Sequence, residues 1–170
     1  MAHKASSIDS RQEINMTEPF KTAPELRVSQ WLNAVQPISL ESLRGRVVML
    51  HAFQMLCPGC VSTGLPQASR VHTVFPPQDV AVIGLHTVFE HHAVMGTEAL
   101  QVFLHEYDVP FPVGIDQPDP TGRIPLTMQA YELRGTPSLV VLDRQGRVRL
   151  SHFGPIDDMR LGRLLGQLAA

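Results

Sequence analysis

Cys57 and Cys60 are the only cysteines in the chain, and Pro58-Gly59 stands between them. Two cysteines at this spacing serve two common chemistries. One is half of a zinc site, which needs four thiolate or imidazole ligands around the metal. The other is a redox pair, in which one thiolate attacks a disulfide and the second resolves the mixed intermediate. The spacing alone does not separate them; the setting does. An apolar run, Val47 to Leu56, ends at Cys57, and a helical pattern opens at Pro58. Proline suits a first helical turn, where its missing N–H has no partner anyway. Cys57 then stands at a helix N-terminus, where free amides and the dipole favour a thiolate. Cys60 lies one turn inside and is less exposed. Cys57 is therefore expected as the nucleophile and Cys60 as the resolving thiol. Two buried cysteines acting as small apolar residues would be the bland alternative, and the strand-to-helix setting weighs against it.

The elements that must position this pair follow from the patterning. Val47 to Gln54 is apolar on both faces, as a buried parallel strand should be. Pro58 to Phe75 reads as the cysteine-bearing helix, with Val61, Leu65, Ala68 and Phe75 on one stripe and Pro66 kinking it. Pro76-Pro77 ends it. Val80 to Val88 is a second buried strand, followed by a polar loop, Glu90 to Gly96, holding His91 and His92. Thr97 is expected to cap the next helix, where Leu100, Phe103, Leu104 and Tyr107 share a face. Phe111 to Ile115 is a short strand, Leu126 to Leu133 a short helix and Ser138 to Leu142 a third strong strand. Asp143-Arg144-Gln145-Gly146 turns into Arg147 to Phe153, a hairpin signal. Pro155 and Asp157 open a last helix with Leu161, Leu164, Leu165 and Leu168 on one face. Ahead of all this, Leu26 to Trp31 is expected to pair as a hairpin with Ile38-Ser39-Leu40, before a helical turn closed by Gly45. Strands joined by helices, plus an antiparallel edge, make an α/β fold with a central mixed sheet flanked by helices.

Residues 1–24 read as a flexible leader and 25–170 as one domain, a size that suits a single sizeable core. The net charge of -2 gives no electrostatic case for nucleic acid or an anionic membrane. No run approaches the roughly 20 apolar residues of a membrane span. The first fifteen residues show no secretory pattern. A cytoplasmic protein is expected, or a periplasmic one if this N-terminus is not the native start; Met16 is an alternative start. A reducing compartment argues for a cycling disulfide over a permanent one.

Four stretches carry a resemblance. They are Val47 to Phe53 running into Cys57-Pro58-Gly59-Cys60; Val82 to His86; Tyr131 to Ser138 with Thr136-Pro137 inside; and Leu142 to Val148 through Ser151 to Gly154. Together they resemble the thioredoxin-like superfamily in its TlpA/redoxin branch, the second and fourth being similar to DipZ-like members. The resemblance covers roughly Leu26 to the C-terminus and implies a thioredoxin-like fold with an N-terminal hairpin extension and a central insertion from about Thr87 to Arg123. It implies that Pro137 is the family's cis-proline, facing the cysteines. Thr136 would offer its backbone to a substrate strand, with Pro58 and Gly59 beside it; His86, which closes a strand at the sheet end where the cysteines lie, or Glu90 beyond it, is read as bordering the same groove.

The departures are informative. Leu56 and Phe53 stand where the family usually has tryptophan, and Pro66 falls one residue late, which suggests a local bulge. His51 occupies the place of a buried carboxylate that serves the resolving thiol. A neutral imidazole can take the same proton and would be poised near neutral pH; a satisfied core histidine is the plainer reading. His86, His91, His92 and His105 show no helical i, i+4 pairing, so no metal site and no cofactor are expected.

The implied function is thiol–disulfide exchange. Its partners would be a disulfide-containing protein or small thiol, and an unidentified electron donor. A peroxiredoxin-like peroxidase is a second reading. Gln54 then stands where a threonine or serine is needed, no proline precedes it, and nothing fixes Arg123 near Cys57. A non-catalytic binding module is the third.

Overall fold

All seven residues of Val47–Phe53 are buried. An apolar run without polar alternation requires cover on both faces, and the protein supplies it. In the computed structural model, which describes residues 20–170, this run is β2 of a six-stranded sheet. The other strands are β1 (Val28–Leu32), β3 (Val80–His86), β4 (Val113–Asp116), β5 (Ser138–Leu142) and β6 (Val148–Phe153). Their order across the sheet is β1-β4-β3-β2-β5-β6. β2, β3 and β4 run parallel, so their C-terminal ends lie at one edge of the sheet. β5 pairs antiparallel with β2, and β6 with β5.

Alternate residues of β2 face opposite layers. Met49 and Phe53 meet α1 (Leu65–Val74), α2 (Thr97–Glu106) and α4 (Asp158–Ala169) through Leu65, Ala68, Leu100, Leu104, Leu161 and Leu165. Val48, Leu50 and Ala52 meet Leu40, Leu43 and Tyr131, which follows α3 (Leu126–Ala130). The mixed sheet, the flanking helices and the insertion between β3 and β5 accord with the expected α/β architecture.

Several local expectations are corrected. β1 does not form a hairpin with Ile38-Ser39-Leu40; it pairs antiparallel with β4, Leu32 opposite Val113 and Val28 opposite Asp116. The short β4 leaves an edge that β1 fills, while buried Leu40 and Leu43 serve as cover for the sheet. The Leu40 N–H donates to the Glu25 carboxylate at 2.8 Å, so this segment needs no ladder partner. Thr97 is the first helical residue of α2; Gly96 is the cap and no side chain bonds there. The leader was expected to reach Pro24. Yet Thr22 bridges to Arg147, Val148 N–H donates to the Lys21 carbonyl at 2.9 Å, and Ala23 is buried. The packed chain thus includes residues 20–24; the rest of the expected leader, residues 1–19, lies outside the described residues.

The cysteine-bearing helix is not uniform. Cys60–Gly64 is a π-helical segment, with the Leu65 N–H bonded to the Cys60 carbonyl, and α1 follows from Leu65. Pro66 has no N–H to return to the Ser62 carbonyl. One wider turn ahead of it takes up the extra residue, which is the bulge its late position suggested.

Candidate active site

β2 stops at Phe53, and the chain turns through Gln54, Met55 and Leu56 into the helix. The Cys57 N–H donates to the Gln54 carbonyl at 3.2 Å. Cys57 and Cys60 are joined as a disulfide, with Cα atoms 5.2 Å apart. The Cys60 N–H points at Cys57 Sγ, 3.3 Å away. The same amide donates to the Cys57 carbonyl at 3.0 Å, and in the reduced state its approach to Sγ would help stabilise negative charge on that sulfur. Cys57 is partly exposed while Cys60 is wholly buried. Only one of the two sulfurs can therefore meet a partner molecule directly.

Pro137 lies against the turn. The Thr136–Pro137 peptide is cis. A Cβ placed on Gly59 would touch Pro137 Cδ at 3.4 Å, so the Pro58-Gly59 turn and Pro137 are in van der Waals contact. Ser138 Oγ donates to the Gly135 carbonyl at 2.7 Å and the Gly154 N–H to the Pro137 carbonyl at 2.8 Å, which anchors both sides of this loop. Thr136 and Pro137 are half-exposed, and the rings and chains of Phe153 and Leu56 stand out into solvent near by.

His51 is buried below this surface. Its ring stacks along β2 on Phe53 at 6.0 Å. A Cβ on Gly64 would sit 2.6 Å from His51 Nε2, so the imidazole lies directly against the backbone of the π-helical segment that Cys60 begins. Nε2 has no hydrogen-bond partner among the described residues. Burial pushes the imidazole down to about 4. This corrects the expectation of a base poised near neutral pH: the ring is neutral there, and the apolar strand that holds it is the reason.

His86 lies below the surface. It is buried, one strand over from Phe53 and 5.3 Å from its ring, and burial pushes it down to about 4 as well. It faces a cavity of about 370 Å³ that His92 also lines. His91 is exposed in a left-handed turn, and His105 faces a different hollow beside Asn33. The four histidines are therefore not brought together.

Three supporting residues escaped the sequence reading. Gln54 is buried; its Oε1 accepts from the Phe89 N–H at 3.2 Å and its Nε2 donates to Glu90 at 3.4 Å, tying the β3 exit loop to the cysteine turn. Gly64 leaves room for His51; an isolated glycine inside a helical pattern was the available signal. Asp116 is buried and accepts from Thr87 Oγ1 at 2.9 Å, Thr127 N at 2.8 Å and Met128 N at 3.0 Å. Burial raises its carboxyl despite these donors. A polar residue closing an apolar strand was its only trace in the sequence.

Known proteins are similar to this chain in sequence and fold. The model of the AhpC/TSA family matches residues 20–151. Protein DipZ of Mycobacterium bovis is 29% identical over 144 residues, 82% of this chain and 19% of that protein. NHL repeat-containing protein 2 of Gallus gallus is 31% identical over 147 residues, 84% of this chain and 19% of that protein. The chain thus spans 19% of the length of these curated relatives. Among solved structures, a thiol-disulfide isomerase from Corynebacterium glutamicum is 51% identical with a TM-score of 0.84, over 89% of this chain and 96% of that one. A thioredoxin-like superfamily protein is 50% identical with a TM-score of 0.86, over 88% and 96%. Among the described residues no helix is long and apolar enough to cross a membrane.

Proposed function

The chain belongs to the AhpC/TSA family, and from that premise we propose that it is a thiol–disulfide oxidoreductase working through Cys57 and Cys60. The observation that carries this reading is the asymmetry of the pair: one disulfide, one sulfur open to a partner, one fully enclosed. The half-identical isomerase from Corynebacterium glutamicum supports it.

In the reducing direction, the Cys57 thiolate attacks one sulfur of a client disulfide. The S–S bond of the client breaks, and the departing sulfur takes the electron pair and a proton. Cys60 then gives up its proton and attacks Cys57 Sγ. The second client sulfur leaves with its electron pair, and Cys57–Cys60 is oxidised. Pro58, Gly59, Thr136 and Pro137 form the ledge on which the client chain rests, with Thr136 offering its backbone. Client proteins or small thiols are the substrates, and a separate thiol restores the dithiol.

His51 acts beside Cys60 as a neutral ring. Keeping a proton on it near pH 6.5 costs about 3 kcal/mol more than in water. It therefore holds no charge at rest, and burial makes it a weaker acceptor for the Cys60 proton than a free imidazole.

The family match also favours a thiol peroxidase. Against it, Gln54 carries no hydroxyl and spends its amide on Phe89 and Glu90. Arg123 lies in the loop after β4 and lines the cavity beside His86.

The test is a pair of variants mixed with a disulfide-bonded client such as insulin. Cys60→Ser is expected to accumulate a covalent client adduct on Cys57, seen as added mass that dithiothreitol removes. Cys57→Ser should give neither adduct nor client reduction. Adduct formation on Cys60 in the Cys57→Ser protein would reverse the assigned roles.

A further inference from the structure

The cavity behind His86 has no part in the exchange described above. It measures about 370 Å³ and opens at the C-terminal ends of β3 and β4. That end of a parallel sheet is where such folds seat ligands, and the volume falls in the range of small-molecule sites. Val88, Met95 and Ile115 give it an apolar wall.

Its polar groups are of both signs and are not spent on each other. Arg123 stands exposed at the rim and forms no ion pair among the described residues, although Asp116 and Asp119 border the same space. Asp119 already accepts from Thr121 at 2.9 Å and 2.8 Å and from Gln129 at 2.8 Å, and these bonds hold its carboxyl below the usual range, so it is charged. Asp116 also lines the space but is buried and held by three donors. The opening turn of α2, at Gly96 and Thr97, borders the same space, and no side chain caps it. Among the described residues, buried His86 Nε2 has no hydrogen-bond partner. A cation without an ion pair, a partly exposed carboxylate that already accepts three hydrogen bonds, uncapped amides and, among the described residues, an unpartnered imidazole nitrogen together fit a zwitterion better than a simple anion or an apolar guest.

The position adds a constraint. β3 is one strand from β2, and β4 is two. At about 4.8 Å per strand, the cavity lies within about 10 Å, measured across the sheet, of β2, which leads into the cysteine turn. Val88 belongs to the same apolar cluster as Cys57. A ligand of tripeptide length reaches across that width of sheet.

We propose that this cavity seats the amino-acid head of a low-molecular-weight thiol: Arg123 and the α2 amides hold its carboxylate, Asp119 its ammonium, and His86 Nε2 an inner polar atom. The proposal rests on the oxidoreductase reading and names the reductant. The bound thiolate attacks Cys57 Sγ, and the Cys57–Cys60 bond breaks with its electron pair leaving on Cys60, which takes a proton. A second thiolate attacks the small thiol's sulfur in the mixed disulfide. Cys57 leaves as a thiolate and the small disulfide is released, so two thiols are oxidised and one protein disulfide reduced.

Two measurements separate the pocket from the chemistry. S-methylglutathione has the head and no thiol; titrated into the oxidised protein, it should shift the backbone amides of Gly96, Thr97 and Asp119 to Arg123 in NMR spectra. Arg123→Gln and Asp119→Asn, both at the surface, should each weaken that binding about tenfold, the loss of one charge-assisted contact. Second, the oxidised protein is reduced by glutathione or by neutral 2-mercaptoethanol, quenched and mass-tagged. The glutathione rate should saturate, and the ratio of the two rates should fall about tenfold in either variant. Absence of amide shifts, or a rate ratio equal in all three proteins, would overturn the pocket while leaving the oxidoreductase reading intact. Shifts without reduction by either thiol would keep the pocket and sink the oxidoreductase reading.

Discussion

Gly64→Ala isolates the contact between the π-helical segment and His51. Gly64 has φ -66 and ψ -52, ordinary helical angles, so an alanine meets no backbone strain. On propensity alone the change would stabilise by about 0.5–1 kcal/mol. The new methyl would lie 2.6 Å from His51 Nε2, roughly 0.8 Å inside ordinary contact. The ring cannot retreat, because Phe53 stacks beside it and the sheet lies below. Overpacking of this kind costs about 1–3 kcal/mol, so a net loss of about 1–2 kcal/mol is expected. In a His51→Ala background the obstacle is gone, and the same substitution should be neutral or stabilising by up to about 1 kcal/mol. Urea unfolding of the four oxidised proteins, read from midpoints at constant m, gives the coupling directly. Equal cost of Gly64→Ala with and without His51 would refute the claim that the glycine exists for the ring.

Two further outcomes follow from buried polar groups. His51 and His86 bind protons less readily folded, at about 4, than unfolded, near 6.5. The unfolded chain therefore holds more protons in that window, and stability should fall as pH drops from about 6.5 to about 4, by on the order of 3 kcal/mol per ring. Melting temperatures across this range would show it, and a His51→Asn protein with the same slope would count against the assignment. Asp116→Asn retains one acceptor oxygen for three donors and should lose about 1–3 kcal/mol, measured by thermal unfolding; an unchanged melting point would mean the donors find other partners.

How far the sequence could be read depends on the range of each interaction. The cysteine turn, β2, β3 and β5 were legible, since apolar runs and a Pro-Gly pair act locally. So was the bulge, because a proline's missing N–H forces a choice within one turn. The partner of β1 was not legible: Trp31 meets Gly114 across more than eighty intervening residues, and no local pattern encodes that pairing. The roles of His51 and His86 were half legible. Their strands could be placed, but the depth that drives both rings neutral depends on α1 and α2 closing over them. The clamp made by Gln54 was invisible, because a glutamine at a strand end gives no sign of which loop it will hold.

The segment at Phe20 to Ala23 has a consequence beyond its own packing. β6 is the outermost strand on one side of the sheet, and an open strand border is a template for unwanted cross-chain pairing. Thr22 and Lys21 occupy part of that border through Arg147 and Val148, and Arg149 stacks over the Phe20 ring at 4.0 Å. On the far side, β1 breaks register between Val28 and Gln30, which spoils a regular ladder. Both borders of the sheet are thereby partly blocked against pairing with a second copy of the chain.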